Sequence, residues 1–275
     1  MLPTRFTKMA GGGNDFLVFE ADGRALADND RRRIALLCRR GLSVGADGAL
    51  FLSPVAAGRV RVDYFNSDGG LASFCANGTR CAARYAVRYG LASGDRVLLE
   101  TGWAPIEALV GNGAVTLRLP ALPPPGREVT IEGDGLPASA TPVAVGVPHL
   151  VVFVDGDLDE LPIGRLAPPL RHHPAMPEGA NVNFVRVEGA DRLSLRTFER
   201  GVEGETLACG SGVVASAIVA AKRGLATPPV SCATKSGAVF QVRFSPADGG
   251  VRDAELTGDA REVFSGDLSE DAWRE

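Results

Sequence analysis

The stretch CANGTRCAARYAVRYGL (75–91) lies over CGSGVVASAIVAAKRGL (209–225) without a gap. Six positions are identical: the leading cysteines Cys75 and Cys209, then Gly78 and Gly212, Ala83 and Ala217, Ala86 and Ala220, Gly90 and Gly224, Leu91 and Leu225. Upstream, each copy follows a strand-like run ending in Phe and a polar pair, YFNSDG (64–69) and TFERGV (197–202). The openings GGGNDFLVFE (11–20) and VGVPHLVVFVDG (145–156) correspond more loosely. A chain built this way must fold from an α/β unit that is made twice.

Most other segments read as short strands, at 16–21, 49–53, 59–65, 96–101, 114–119, 149–155, 181–187, 192–198 and 238–244. Several alternate as half-buried strands do, such as Val60, Val62 and Tyr64 against Arg61 and Asp63. Helices are predicted near 29–40, 79–89 and 212–222. The segment 213–221 is apolar on every side and made of small residues, so it must be enclosed by sheet. In the first repeat Arg80, Arg84 and Arg88 recur every four residues, and one polar stripe is expected there. The expected fold class is α/β of the α+β type: two pseudo-symmetric domains, each a wrapped, mostly antiparallel sheet around a central helix. The Pro-rich LPALPPPGREV (119–129) breaks regular structure and marks the crossing between domains. That places them at 1–120, with 263–275 returning to the first, and at 121–262.

A net charge of -4 and the absence of a long basic run argue against nucleic acid or an anionic membrane as partner. No window is apolar enough for a membrane span, and MLPTRFTKMAGGGNDF shows no signal-peptide pattern. Five cysteines, an odd number without a secretion signal, fit reduced thiols and a cytoplasmic location. With no CxxC and only three histidines, a zinc site is not expected.

Both repeats therefore place a cysteine at a helix mouth. First-turn amides lack intrahelical partners and carry the positive end of the helix dipole. They stabilise a thiolate and make a site for a carboxylate. Gly210, Ser211 and Gly212 leave such amides accessible, as do Asn77 and Gly78. If the repeats pack about a pseudo-twofold axis, a bound carboxylate would have its α-carbon flanked by a thiol on each face. That suits inversion of an amino acid by two bases: Cys75 and Cys209 exchange roles as thiolate and thiol, while the amides stabilise the carbanion. No cofactor is then required as an electron sink. Cys38, Cys81 and Cys232 lack such a position and read as structural.

These residues resemble the diaminopimelate epimerase family over nearly the whole chain. The stretches are GGGNDF (11–16), GLSVGADGALFL (41–52), YFNSDG (64–69), CANGTRCAARY (75–85), GVPHLVVFVD (146–155), HHPAMPEGANVNFV (172–185) and ERGVEGETLACGSG (199–212). The resemblance implies cofactor-independent interconversion of LL- and meso-diaminopimelate, on the route to lysine and peptidoglycan precursors. It implies Cys75 and Cys209 as the acid/base pair, and Asn14, Asn66 and Asn181 as substrate-binding amides. It also implies Glu199 and Arg200 as contacts to ammonium and carboxylate groups, and Asn77, Gly210 and Ser211 as backbone donors to the reacting carboxylate. A homodimer is implied as well.

The chain departs from the family pattern at Ala10, Gly48, Ala76 and Val147, where His, Gln, Gly and Asn are usual. Gly48 and Val147 each remove a side-chain hydrogen bond, worth about 0.5–1.5 kcal/mol net. A racemase for another amino acid is the nearest alternative, although Arg200 favours a substrate with a distal acid. A thiol redox protein is a different class, but Cys75 and Cys209 lie 134 residues apart. An inactive binding paralogue would not need both cysteines.

Overall fold

Phe16, Leu17, Val18 and Phe19 are four consecutive residues with no exposed surface, which a strand achieves only when both faces of its sheet are covered. The computed structural model, which describes residues 2–133 and 135–274, shows what covers them. The chain divides into two units, 1–118 with 258–275, and 119–257.

The first unit runs β1 (Arg5–Gly11), β2 (Asn14–Glu20), α1 (Asp28–Cys38), β3 (Gly48–Ala56), β4 (Arg59–Asn66), β5 (Leu71–Ala72), α2 (Ala76–Arg88), β6 (Arg96–Glu100), β7 (Pro105–Val110) and β8 (Ala114–Arg118). The second contains β9 (Val129–Thr130), β10 (Ser139–Val145), β11 (Val147–Phe153), α3 (Ile163–Arg171), β12 (Asn181–Gly189), β13 (Arg192–Glu199), β14 (Gly204–Thr206), α4 (Gly210–Lys222), β15 (Val230–Thr234) and β16 (Val239–Ala247). Then β17 (Gly250–Asp259) leads to β18 (Arg261–Asp267), which pairs with β1.

The repeat is visible in the pairing pattern. In the first unit β1–β2 is antiparallel, β2–β3 parallel, β3–β4 antiparallel, β4–β6 parallel and β6–β7 antiparallel. In the second, β10–β11, β11–β12, β12–β13, β13–β15 and β15–β16 repeat that order. A parallel pair needs a crossover that lies on one face of the sheet. Each unit has two such helices, one for each parallel pair. In the first unit α1 packs on one face, with Leu17, Phe19, Phe51, Ile34 and Leu37 in one cluster. The other face receives α2, where Gly78 meets Phe16 and Leu50. The second unit does the same with α3, whose Leu166, Ala167 and Leu170 join Leu150, Val152 and Phe184. There α4 is the enclosed helix, buried from Gly210 through Ala220.

Two expectations need correction. No helix was predicted at α3, whose interior holds Pro168 and Pro169. Each proline removes a helical N–H, but the buried Ile163, Leu166, Ala167 and Leu170 make an i, i+3, i+4, i+7 stripe that packing rewards. Its counterpart α1 occupies the equivalent crossover, so the repeat itself held the signal. The second correction concerns Arg80, which is not part of a polar stripe: it is fully buried, Arg84 is half-buried and only Arg88 is exposed.

The shared glycines now have reasons. Gly90 and Gly224 follow the ends of α2 and α4 with φ of 76° and 70°, the left-handed conformation that closes a helix at little cost only in glycine. Gly78 and Gly212 lie where the first helical turn meets the sheet. A side chain at Gly212 would land on Asn183 Oδ1.

Candidate active site

Cys75 is the N-cap of α2, with extended backbone (φ −140°, ψ 109°), and its Sγ accepts from the Gly78 amide at 3.5 Å. Cys209 is the N-cap of α4 in the same backbone region (φ −120°, ψ 107°). Its Sγ lies 3.5 Å from Ser211 Oγ. Cys75 is half-buried and Cys209 buried. Both sulfurs thus stand at the first turn of a helix, where anionic sulfur is favoured. Burial pushes the thiols of Cys38, Cys81 and Cys232 up to about 12, so these remain protonated and inert.

In the first unit a row of hydrogen bonds runs behind Cys75. Arg80 donates to Asn77 Oδ1 at 2.8 Å, Asn77 Nδ2 donates to Asn14 Oδ1 at 2.7 Å, and Asn14 Nδ2 donates to Asp47 Oδ2 at 2.9 Å. Arg80 cannot accept, so it fixes the orientation of the Asn77 amide and, through it, that of Asn14. Arg80 also donates to Ala76 O and Asp259 O, and Asp259 Oδ1 accepts from the Gly12 amide at 2.7 Å. This ties the glycine turn before Asn14 to the mouth of α2. A Cβ at Gly11 would lie 3.0 Å from Asp259 O and 3.1 Å from Cys81 Sγ, so the turn can approach only as glycine. Asn66 sits apart from this row, exposed at the end of β4, where its backbone closes the turn with Gly69 and Gly70.

Asn66 is paired in register with Gly48. A Cβ on Gly48 would stand 2.5 Å from Phe65 O and 2.7 Å from the Tyr64 ring. The Tyr64 side chain therefore fills the space that a longer residue at position 48 would need.

In the second unit Asn181 opens β12, and its Oδ1 accepts from the Arg200 amide at 2.7 Å. Arg200 Nη1 donates to Glu178 O at 3.1 Å. Glu199 accepts from the Thr206 hydroxyl at 2.6 Å. Gly210 and Ser211 form the buried first turn of α4. Beneath that turn lies fully buried His149, whose Nε2 is 3.0 Å from Ser211 Oγ and whose Nδ1 is 3.2 Å from Asn183 Nδ2. Burial, aided by the charge of Arg200, pushes the imidazole down to about 3, so the ring is neutral at pH 7.

Sequence reasoning missed Arg80, Asp47, His149 and Asn183 as parts of these networks. The signal for the last two was a polar residue inside an apolar strand, GVPHLVVFVD and NVNFVRV, since a buried polar group requires a partner. Among the described residues no group of His, Cys, Asp or Glu could hold a metal ion, and no helix is long and apolar enough to cross a membrane.

The diaminopimelate epimerase family model matches residues 6–110 and 141–258. A diaminopimelate epimerase of Archaeoglobus fulgidus is 41% identical over 278 residues, covering 96% of this chain and 95% of that protein. One from Aquifex aeolicus is 36% identical over 285 residues, covering 97% and 98%. Among solved structures, a hydroxyproline epimerase from Agrobacterium vitis has a TM-score of 0.67 at 15% identity, covering 97% of this chain and 92% of that one. A Bacillus anthracis phenazine biosynthesis protein of the PhzF family has 0.68 at 16%, covering 98% and 100%. At such identities the structural likeness concerns the fold alone. The sequence matches carry more: they span nearly the whole chain and include both capping cysteines, and this chain belongs to the diaminopimelate epimerase family of isomerases.

Proposed function

We propose that the protein interconverts LL- and meso-diaminopimelate by a two-cysteine acid/base mechanism, supplying the route to lysine and peptidoglycan precursors. The observation that carries the mechanism is the equivalence of Cys75 and Cys209, each the N-cap of its unit's enclosed helix. In one direction a thiolate removes the α-proton and the electron pair moves onto the carboxylate. First-turn amides of Asn77, Gly210 and Ser211 stabilise that charge. The other cysteine, as thiol, then protonates the α-carbon on the opposite face. Each turnover leaves the protonation states of the two sulfurs exchanged, so the reverse direction starts from the product state.

Asn14, Asn66 and Asn181 hold the substrate's polar groups, with Glu199 and Arg200 meeting an ammonium and a carboxylate. A guanidinium grips a carboxylate bidentately, which favours a diacid. The test is incubation with LL-diaminopimelate in D₂O without added cofactor, beside a panel of other amino acids. Deuterium at the α-carbon with meso product is expected for diaminopimelate. Full activity in Cys75→Ala or Cys209→Ala would overturn the two-cysteine mechanism. Preferred exchange of a monoacid would instead assign the chain a different substrate, the reading that Gly48 and Val147 leave room for.

A further inference from the structure

We propose that Tyr64 is a specificity-determining residue: its hydroxyl occupies the place beside Asn66 that Gly48 leaves without a side chain, and hydrogen-bonds a polar group of the substrate there. This rests on the substrate-binding role proposed for Asn14 and Asn66.

Strand register places these residues on one face. Side chains alternate between the two faces of a sheet. Phe65 packs with Leu17, Phe19 and Phe51 on the face that α1 covers, so its neighbours Tyr64 and Asn66 belong to the face of α2. Gly48 is in register with Phe16 on one side and Asn66 on the other. Phe16 reaches the first turn of α2, where a Cβ on Gly78 would lie 3.4 Å from its ring. Asn14 stands two residues before Phe16 on the same face and accepts from Asn77 of α2. The row Phe16–Gly48–Asn66 therefore lies at the helix mouth, next to the polar surface of Asn14 and Asn77.

Tyr64 starts one row deeper, opposite Leu50. Its Cε2 lies 2.7 Å and its hydroxyl oxygen 3.2 Å from where a Cβ on Gly48 would stand. The side chain thus crosses diagonally into the Gly48 row and carries its hydroxyl toward the mouth. Its ring meets Phe16 edge-on, with centroids 6.0 Å apart and planes at 76°. Ring and hydroxyl therefore have separate tasks. The ring covers the bare glycine backbone, as aromatic residues do in sheets. The hydroxyl both donates and accepts, so it can serve either a carboxylate or an ammonium beside Asn66. A glutamine at position 48 would have supplied one amide in this row; here a phenol arrives from the neighbouring strand instead.

The test separates ring from hydroxyl. Tyr64→Phe keeps the ring, and Tyr64→Leu removes both. Affinity is measured by calorimetry with a pre-equilibrated mixture of LL- and meso-diaminopimelate, so that turnover releases no heat. Steady-state kinetics and thermal melting accompany it. Tyr64→Phe should weaken binding about ten-fold and raise KM by the same factor. Its kcat should stay within about two-fold and its melting temperature within about 1 °C of the parent. Tyr64→Leu should show the same loss of affinity and, in addition, melt about 5 °C lower. An affinity of Tyr64→Phe equal to that of the parent overturns the proposal. So does a melting temperature as low as that of Tyr64→Leu, which would make the hydroxyl a structural group. These failures are distinguishable from failure of the functional reading. A parent that binds diaminopimelate beside an unaffected Tyr64→Phe refutes only the role of Tyr64, whereas a parent that does not bind it refutes the substrate and this assignment together.

Discussion

Asn77 donates to Asn14 across 2.7 Å while its own oxygen accepts from Arg80, so a residue of the helix mouth and one of the glycine turn are held as a single polar surface. Arg80 has no surface exposure. Its charge is tolerated because its N–H groups meet oxygens.

Arg80→Met should therefore remove the side-chain donations to Asn77 Oδ1, Ala76 O and Asp259 O. A loss of about 3 kcal/mol in unfolding free energy is expected, together with a raised KM as Asn14 and Asn77 lose their fixed orientation. Urea denaturation and steady-state kinetics check both. A stability unchanged from the parent would show that the buried guanidinium contributes little.

Thiol chemistry should separate the cysteines. With pKa values near 12, Cys38, Cys81 and Cys232 carry about one part in ten thousand of thiolate at pH 8. Brief iodoacetamide treatment of the native protein should alkylate half-buried Cys75 and spare those three, as read by peptide mass spectrometry. Activity should fall in step with Cys75 modification.

Restoring the family's usual residue should fail at position 48. Gly48→Gln places a Cβ 2.5 Å from a backbone oxygen, which cannot move as a flexible side chain can. A destabilisation of about 2 kcal/mol is expected, with no gain in substrate affinity. A lower KM at unchanged stability would mean that Tyr64 yields its place readily.

Asp15 should shape the acid limb of stability. Burial raises its carboxyl pKa, but hydrogen bonds and charge from Arg40 and Lys8 outweigh burial and hold it at about 2, below the ordinary 3.8. Because the folded-state value is the lower one, this contribution is present above about pH 5 and is lost as pH falls toward 2. Denaturation of Asp15→Asn at pH 7 and pH 2.5 should show a difference from the parent that shrinks on acidification.

The repeat, the strand alternation and the cysteines beside glycine were legible in the residue order. They depend on local periodicity and on residue types with few alternative uses. That was enough to anticipate the fold class and the family. Alternation along Val60–Tyr64 already implied a strand covered on one face, and the small apolar run 213–221 already implied an enclosed helix.

Folding together of distant segments settled the rest. Arg80 reads as a surface residue by its spacing, yet β17 brings Asp259 O to it from 179 positions away. Two prolines hid α3 because local propensity counts against them, while its apolar stripe counts only once Leu150 and Phe184 stand opposite. His149 and Asn183 looked like isolated polar residues in strands, and became one row only when β11 and β12 aligned in parallel. Hydrogen bonds act over about 3 Å whatever the separation along the chain, so the partners of a buried polar group are decided by tertiary structure.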